Sequence, residues 1–351
     1  MFALESLRGL PKVQLHCHLE GTVRTQTFME LASRYGVSTT YRPAGFEPTE
    51  PADHATSVYA FRDFQEFLFT FAAVCRSLQS PADYARILRE YAEDASRNNV
   101  IYAELHVSPA VWQFFHVELA LEEAFEHLHA AAQEIEAQKG LLIRFICDLT
   151  RNFGVESAME TVRFALRMQK YGVIAIGLGG DEAKFPARLF EQPFAHARAY
   201  GLHAVAHAGE AAGAQSVHDA VTILRAERIG HGIRALESPG ALDLLRSRDV
   251  TLEICPTSNF ATGVVPRAAA HPFLELDRAG ISLVIDCDDP ALFASDITTE
   301  YEYVAAAAGL DAALRFARRA VVASFAPAPA KVAMAARVER ASAELLASRR
   351  S

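Results

Sequence analysis

Residues 173–179 read VIAIGLG, a run without a polar side chain, with Gly172 before it and Gly180 after it. A strand that is apolar at both odd and even positions is buried on both faces, which is the situation of a strand inside a parallel sheet. Upstream, runs of the same kind stand at 12–19 (KVQLHCHL), 100–108 (VIYAELHVS) and 141–149 (LLIRFICDL). Downstream they stand at 203–209 (HAVAHAG), 228–232 (RIGHG), 251–257 (TLEICPT) and 282–288 (SLVIDCD). Stretches with helical spacing separate them, at 118–138, 154–170, 188–200 and 238–248, the first closing near Gly140. Eight buried strands alternating with helices predict an α/β fold, a closed (β/α)8 TIM barrel.

The gap between the first and second strands is too long for one crossover. It predicts a helical insertion after the first strand: a helix at 25–36, an irregular segment at 37–57, then helices at 59–78 and 81–98. Pro43, Gly45, Pro48 and Pro51 interrupt regular structure in the irregular segment. The phenylalanines that follow it (Phe61, Phe64, Phe67, Phe69, Phe71) pack a helix onto the barrel or cover its mouth. From Glu300 onward the chain is alanine-rich and helical in pattern, with APAPA at 326–330 as a short connection. No internal repeat exceeds the strand–helix rhythm, so residues 1–351 are read as a single barrel domain.

Composition removes several classes of function. The chain has 351 residues, is 51% hydrophobic and 22% charged, and carries a formal net charge of −9. Such a chain has the apolar residues for a large core and is not a disordered scaffold. Its acidic balance argues against a nucleic-acid partner, which calls for a basic face. No run approaches the roughly 20 apolar residues of a membrane span. The start, MFALESLRGLPKVQLH, has Glu5 early and no apolar core before a cleavage site, so no secretory leader is expected. Five scattered cysteines (Cys17, Cys75, Cys147, Cys255, Cys287) without a CxxC pair suit a reducing, cytoplasmic location.

Active sites of such barrels gather at the C-terminal ends of the strands. His16 and His18 stand two apart near the end of the first strand, so both point to one face. His207 and Glu210 end the fifth strand, His231 the sixth, and Asp288 and Asp289 the eighth. A lone histidine in a strand is more often a satisfied core residue than a ligand. Four strand ends carrying His or Asp together indicate a metal site, with His16, His18, His207 and Asp288 as ligands. Imidazole nitrogen with carboxylate oxygen suits Zn²⁺, while Fe²⁺, Co²⁺ and Mn²⁺ stay open by ligand type. One zinc per chain would lower the pKa of a bound water to about 7 and permit hydrolysis without a covalent intermediate.

HCHLEG (16–21), GGDE (179–182), HAGE (207–210), GHG (230–232), CPTSN (255–259) and DCDDP (286–290) occur in this order over nearly the whole chain. The ordered set resembles the motif series of the adenosine deaminase family. The resemblance implies a zinc-dependent barrel that hydrolyses the 6-amino group of an aminopurine, adenosine by default. It implies His16, His18, His207 and Asp288 as metal ligands, with Asp288 also counted among the catalytic groups. It implies Glu210 as the acid that protonates purine N1, and His231 as the residue that positions and deprotonates the water. It implies substrate contacts from His18, from Gly180 through its backbone N–H at N3, and from Asp289 at N7. Asp181 and Glu182 receive no chemical role, and His106 either touches substrate or makes a structural hydrogen bond.

One residue departs from the family pattern. Adenosine deaminases commonly place Asp where this chain has Glu20, and that Asp meets the ribose 5′-hydroxyl. Glu20 therefore binds a displaced ribose, serves a substrate without ribose, or only orders its loop. The relatives also include adenine deaminases and aminodeoxyfutalosine deaminases. The latter act on a nucleoside with an aryl carboxylate, for which Arg24, Arg62, Arg76 and Arg151 are the candidate cations. A binuclear barrel is disfavoured because the fourth strand ends in Gly179 and Gly180 rather than a lysine. The HxE…PCxxC signature of nucleic-acid deaminases is missing from the sequence. A catalytically inactive purine-binding protein has no need of Glu210 and His231 together.

Overall fold

A computed structural model describes residues 4–43, 46 and 58–348. It contains the eight expected strands: β1 (Lys12–His18), β2 (Val100–Val107), β3 (Leu142–Thr150), β4 (Val173–Gly179), β5 (His203–Ala208), β6 (Arg228–His231), β7 (Thr251–Ile254) and β8 (Ser282–Ile285). They form one sheet in sequence order, each pair parallel. β8 meets β1 through a single bridge, Cys17 to Asp288. Two backbone bonds secure that seam: Asp288 N–H donates to His16 O at 3.1 Å, and His18 N–H donates to Asp288 O at 2.9 Å. The sheet is a barrel wrapped by helices.

β7 and β8 end three residues earlier than the apolar runs suggest. Pro256 opens a short helix (Pro256–Ala261), and Asp286 turns inward to accept from Leu15 N–H at 3.0 Å. Between β1 and β2 the chain forms helices Thr25–Tyr35, Phe64–Ser77 and Pro81–Arg97. The last opens on a capping box, in which Ser80 Oγ accepts from Asp83 N–H and Asp83 accepts from Ser80 N–H. Helix Phe64–Ser77 starts later than the pattern implies because Asp63 caps it, accepting from Glu66 N–H at 2.9 Å. Of the irregular segment, residues 37–43 and 46 are without helix or strand; the others, Gly45, Pro48 and Pro51 among them, lie outside the described residues. APAPA is a connection only in part. Helix Ala328–Ser348 begins inside it, with Pro329 in the first turn, where a missing N–H costs no helical bond.

Side chains of the strands and the inner faces of the helices form the main apolar core. Within it the barrel floor is charged. Arg228 is buried between Glu253, 2.5 Å from its Nε, and Glu104, 2.6 Å from its Nη2. Phe325 lies over this guanidinium, 3.9 Å from ring centre to Cζ. No helix among the described residues is long and apolar enough to cross a membrane.

Candidate active site

The strand ends bring the sequence-predicted ligands together. His16, His18, His207 and Asp288 each offer one ligand atom, and these atoms lie within 4.8 Å of one another. His18 Nε2 stands 3.3 Å from His207 Nε2, and Asp288 Oδ1 stands 3.4 Å from both His16 Nε2 and His18 Nε2. His16 Nε2 is buried without a hydrogen-bond partner. A buried imidazole nitrogen with no partner, beside two others and a carboxylate, is a donor set that a cation satisfies.

Each imidazole is held from behind through its other nitrogen. His16 Nδ1 is 2.8 Å from Glu253 Oε2, His18 Nδ1 is 3.3 Å from Asp148 Oδ2, and His207 Nδ1 is 3.1 Å from Leu178 O. These acceptors place the ring proton on Nδ1 and leave Nε2 to face the cluster. Burial pushes the Glu253 carboxyl up, but the Arg228 charge and the bond to His16 outweigh it and hold it at about 2. Burial likewise opposes ionisation of Asp148, and His106 and His18 hold it far below the carboxylate range. His106 Nδ1 lies 2.9 Å from Asp148 Oδ1, its Nε2 is buried without a partner, and the residue does not line the active-site cavity.

Backbone geometry aims the remaining groups. His231 and Asp288 both have left-handed backbone, with φ of 62° and 60°, which turns each side chain off its strand end toward the cluster. Gly230 leaves the space that His16 fills, since a Cβ there would lie 2.6 Å from His16 Cε1. His231 Nε2 is 3.6 Å from Glu210 Oε1 and 3.7 Å from Asp288 Oδ2. Ser258 Oγ donates to Asp288 Oδ2 at 2.7 Å. Burial, followed by the charges of Asp288 and Glu182, pushes the Glu210 carboxyl well above its ordinary value. Burial and the Asp288 charge do the same to Asp289. Burial pushes the His231 imidazole down to about 3.

A cavity of about 350 Å³ opens on these groups. His18, His207, Glu210, His231, Asp288, Asp289 and Gly180 line its polar end, while Tyr41, Phe64, Phe71, Phe114, Phe115 and Phe153 line the remainder. The phenylalanines of helix Phe64–Ser77 thus serve both ends of the expectation: Phe64, Phe67, Phe69 and Phe71 line the cavity, and Phe67 also stacks on Phe293.

Glu20 does not reach this cavity. Its carboxylate is fully buried, with Oε1 accepting from Ser108 N–H at 2.8 Å and Trp112 Nε1–H at 2.6 Å and Oε2 without a partner. Arg24 pairs with Asp94, Arg62 with Glu66, and buried Arg151 donates to His207 O at 2.6 Å. Arg76 lies over the Tyr41 ring of the cavity wall, 5.4 Å from its centre.

Several supporting residues escaped sequence reasoning. Glu182 accepts from four consecutive backbone N–H groups, those of Gly209, Glu210, Ala211 and Ala212. Asp148 and Glu253 left a readable trace, each being a charge inside an apolar strand (ICDLT and TLEI). Asn259 stood in the CPTSN motif without an assigned role, and His271 left no trace.

A parallel barrel with three imidazoles and a carboxylate converging at its strand ends defines a metal-dependent hydrolase site. The profile of the family described as adenosine deaminase matches residues 11–341. The chain is 36% identical to an aminodeoxyfutalosine deaminase of Streptomyces coelicolor over 97% of this chain and 87% of that one. It is 36% identical to an adenosine deaminase of Klebsiella pneumoniae over 86% and 89% of the two chains. Among solved structures it resembles an adenine deaminase of Arthrobacter aurescens, with TM-score 0.85, 28% identity and coverage of 94% and 98%. It also resembles an amidohydrolase of Burkholderia ambifaria with bound zinc, with TM-score 0.84, 25% identity and coverage of 98% and 94%. The chain belongs to the adenosine deaminase family, and it is an enzyme of the amidohydrolase superfamily.

Proposed function

We propose that this chain, acting as one barrel domain in the cytoplasm, hydrolyses the 6-amino group of a purine nucleoside with one zinc ion held by His16, His18, His207 and Asp288. The observation that carries the reading is the placing of Glu210 and Asp289, two buried carboxyls for which burial favours the protonated form, beside the four-ligand cluster. A 6-aminopurine has basic nitrogens on both sides of C6. Glu210 donates a proton to N1 and makes C6 electrophilic, while Asp289 donates at N7 and aligns the ring. Gly180, at the cavity wall with φ of 98°, lets the edge of the flat base approach. The oxygen of water adds to C6, one of its protons passes by way of the Asp288 carboxylate to N6, the other restores Glu210, and the C6–N6 bond breaks to release ammonia. When bound, zinc supplies the positive charge that makes hydroxide available near neutral pH. Zinc suits the nitrogen-rich ligand set, and the zinc-bound relative supports it.

Adenosine is the default substrate. The aromatic lining supports a second one, a nucleoside carrying an aryl group such as aminodeoxyfutalosine, the compound in the name of the Streptomyces coelicolor relative. Among the described residues no lysine or arginine lines the cavity, which disfavours a 5′-monophosphate, and Arg76 behind Tyr41 is the nearest match for an aryl carboxylate. The test is an ultraviolet and ammonia assay of zinc-loaded protein on adenosine, deoxyadenosine, adenine, AMP and aminodeoxyfutalosine. One ammonia per nucleoside consumed is expected, with AMP the poorest nucleoside substrate. Glu210→Gln should keep zinc and lose turnover by about 10²–10⁴-fold. No release from any of the five compounds overturns the proposal.

A further inference from the structure

His271 precedes helix Phe273–Arg278 and is buried, with 1% of its surface exposed. The backbone N–H of Phe273 donates to His271 Nδ1 at 3.1 Å. A backbone amide can only donate, so this ring nitrogen must carry a lone pair. Burial pushes the His271 imidazole down to about 4, which keeps the ring neutral and puts its proton on Nε2.

That proton decides the next link. His271 Nε2 lies 3.1 Å from Asn259 Oδ1, and Asn259 Nδ2 lies 3.0 Å from His231 Nδ1. An amide can be turned end for end, and the direction follows from the network rather than from the heavy atoms alone. Here His271 offers a donor, so Asn259 presents its oxygen to it and its NH₂ to His231. His231 Nδ1 is then an acceptor, and the proton of the neutral ring sits on Nε2. The surroundings of Nε2 agree independently: Glu210 Oε1 at 3.6 Å and Asp288 Oδ2 at 3.7 Å are both carboxyl oxygens. The opposite tautomer would set two donors against each other between His231 and Asn259, inside a buried network.

We infer that the Phe273 backbone amide, acting through His271 and Asn259, holds the His231 proton on Nε2, so that His231 donates to the attacking oxygen, whose own proton passes to the neighbouring Asp288 carboxylate and not to His231. Asn259 and His271 are positioning residues, since neither lines the cavity. The tautomer stands on the hydrogen bonds alone; its catalytic meaning rests on the deaminase reading given above. It also narrows the role implied by family resemblance, keeping orientation of the water and removing its deprotonation by this ring.

The experiment is a long-range ¹H–¹⁵N correlation spectrum of zinc-loaded, full-length protein labelled with ¹⁵N-histidine, with the His231 signals identified by their loss in His231→Gln. The Nε2-protonated pattern is expected. In Asn259→Asp a carboxylate accepts from both rings, so the His231 proton should move to Nδ1. kcat should then fall about 10–100-fold with little change in KM. If Asn259→Asp does not fold, His271→Gln serves, in which the lock is removed and the Nδ1-protonated form of His231 should appear. An Nδ1 proton in the wild-type protein overturns the inference, as does a variant that folds with His231 signals and kcat unaltered. An Nε2 proton in a protein that deaminates nothing would leave the tautomer standing and remove only the deaminase reading.

Discussion

The carboxylate of Glu182 holds the backbone of Glu210. Its Oε2 accepts from Glu210 N–H at 3.1 Å, and the same carboxylate accepts from Gly209 at 2.5 Å, Ala211 at 2.8 Å and Ala212 at 2.9 Å. Four consecutive amides form a pocket for a negative charge, and filling it fixes the backbone from which Glu210, the proposed acid, projects. Glu182→Ala should therefore lower kcat about 10–100-fold while zinc content stays near one per chain. Steady-state kinetics beside metal analysis check this. Full activity in a variant with an empty amide pocket would show that the loop holds itself.

Glu20 makes the opposite prediction. Ser108 and Trp112 both bond its Oε1, and although Oε2 has no partner it is buried and Glu20 does not line the cavity, so no ribose contact is expected. Glutamine keeps a carbonyl oxygen able to accept the same bonds in nearly the same volume, so Glu20→Gln is a mild change. KM for adenosine should stay within about threefold of the wild-type value, less than the tenfold that a lost contact of about 1.4 kcal/mol would bring. A rise beyond tenfold for adenosine, with adenine unaffected, would return Glu20 to the substrate.

Metal removal tests the four-ligand cluster. His16, His18, His207 and Asp288 crowd their ligand atoms within 4.8 Å, an arrangement that a shared cation relieves. Stripping the protein with a chelator should abolish activity and lower the thermal midpoint. Zinc at a hundred times its Kd should restore about 2.7 kcal/mol of stability. Magnesium should not restore it, because its preference is for oxygen ligands. Equal thermal midpoints with and without zinc would contradict this coupling of binding to stability.

Glu300 governs a pH effect remote from the ligands. It is buried, accepts from Thr257 N–H at 3.1 Å and from Ser295 Oγ, and burial pushes its carboxyl up to about 7. Because the folded value lies above the unfolded one, its favourable contribution is complete below about pH 4.5 and is lost as pH rises through about 7. The loss is of the order of 3 kcal/mol. Glu300→Gln removes this titration, so its stability relative to wild type should grow between pH 4.5 and 8. Urea midpoints at several pH values measure the difference, and parallel curves would show that Glu300 titrates normally.

Much of the site was legible because of where its residues stand in short strands. Alternation along β1 puts His16 and His18 on one side, and strand-end placement singles out His207, His231 and Asp288 without knowledge of their neighbours. Turn propensity around DCDDP gave no warning that β8 stops at Ile285, because the reason lies in Asp286 bonding across to Leu15. Glu20 shows the same limit from the other side. Its neighbours in sequence are active-site residues, yet Trp112, 92 positions away, decides which way its carboxylate turns.

What the sequence determined by itself is the barrel and the set of imidazoles and carboxylates that gather at its strand ends, since strand periodicity and local backbone conformation are short-range properties. Only the tertiary structure decided which acids are kept protonated, which carboxylate braces which imidazole, and on which nitrogen His231 carries its proton. Those are set by burial and by hydrogen bonds between distant segments. Both act through space, and their strength depends on what closes around a group rather than on what precedes it in the chain.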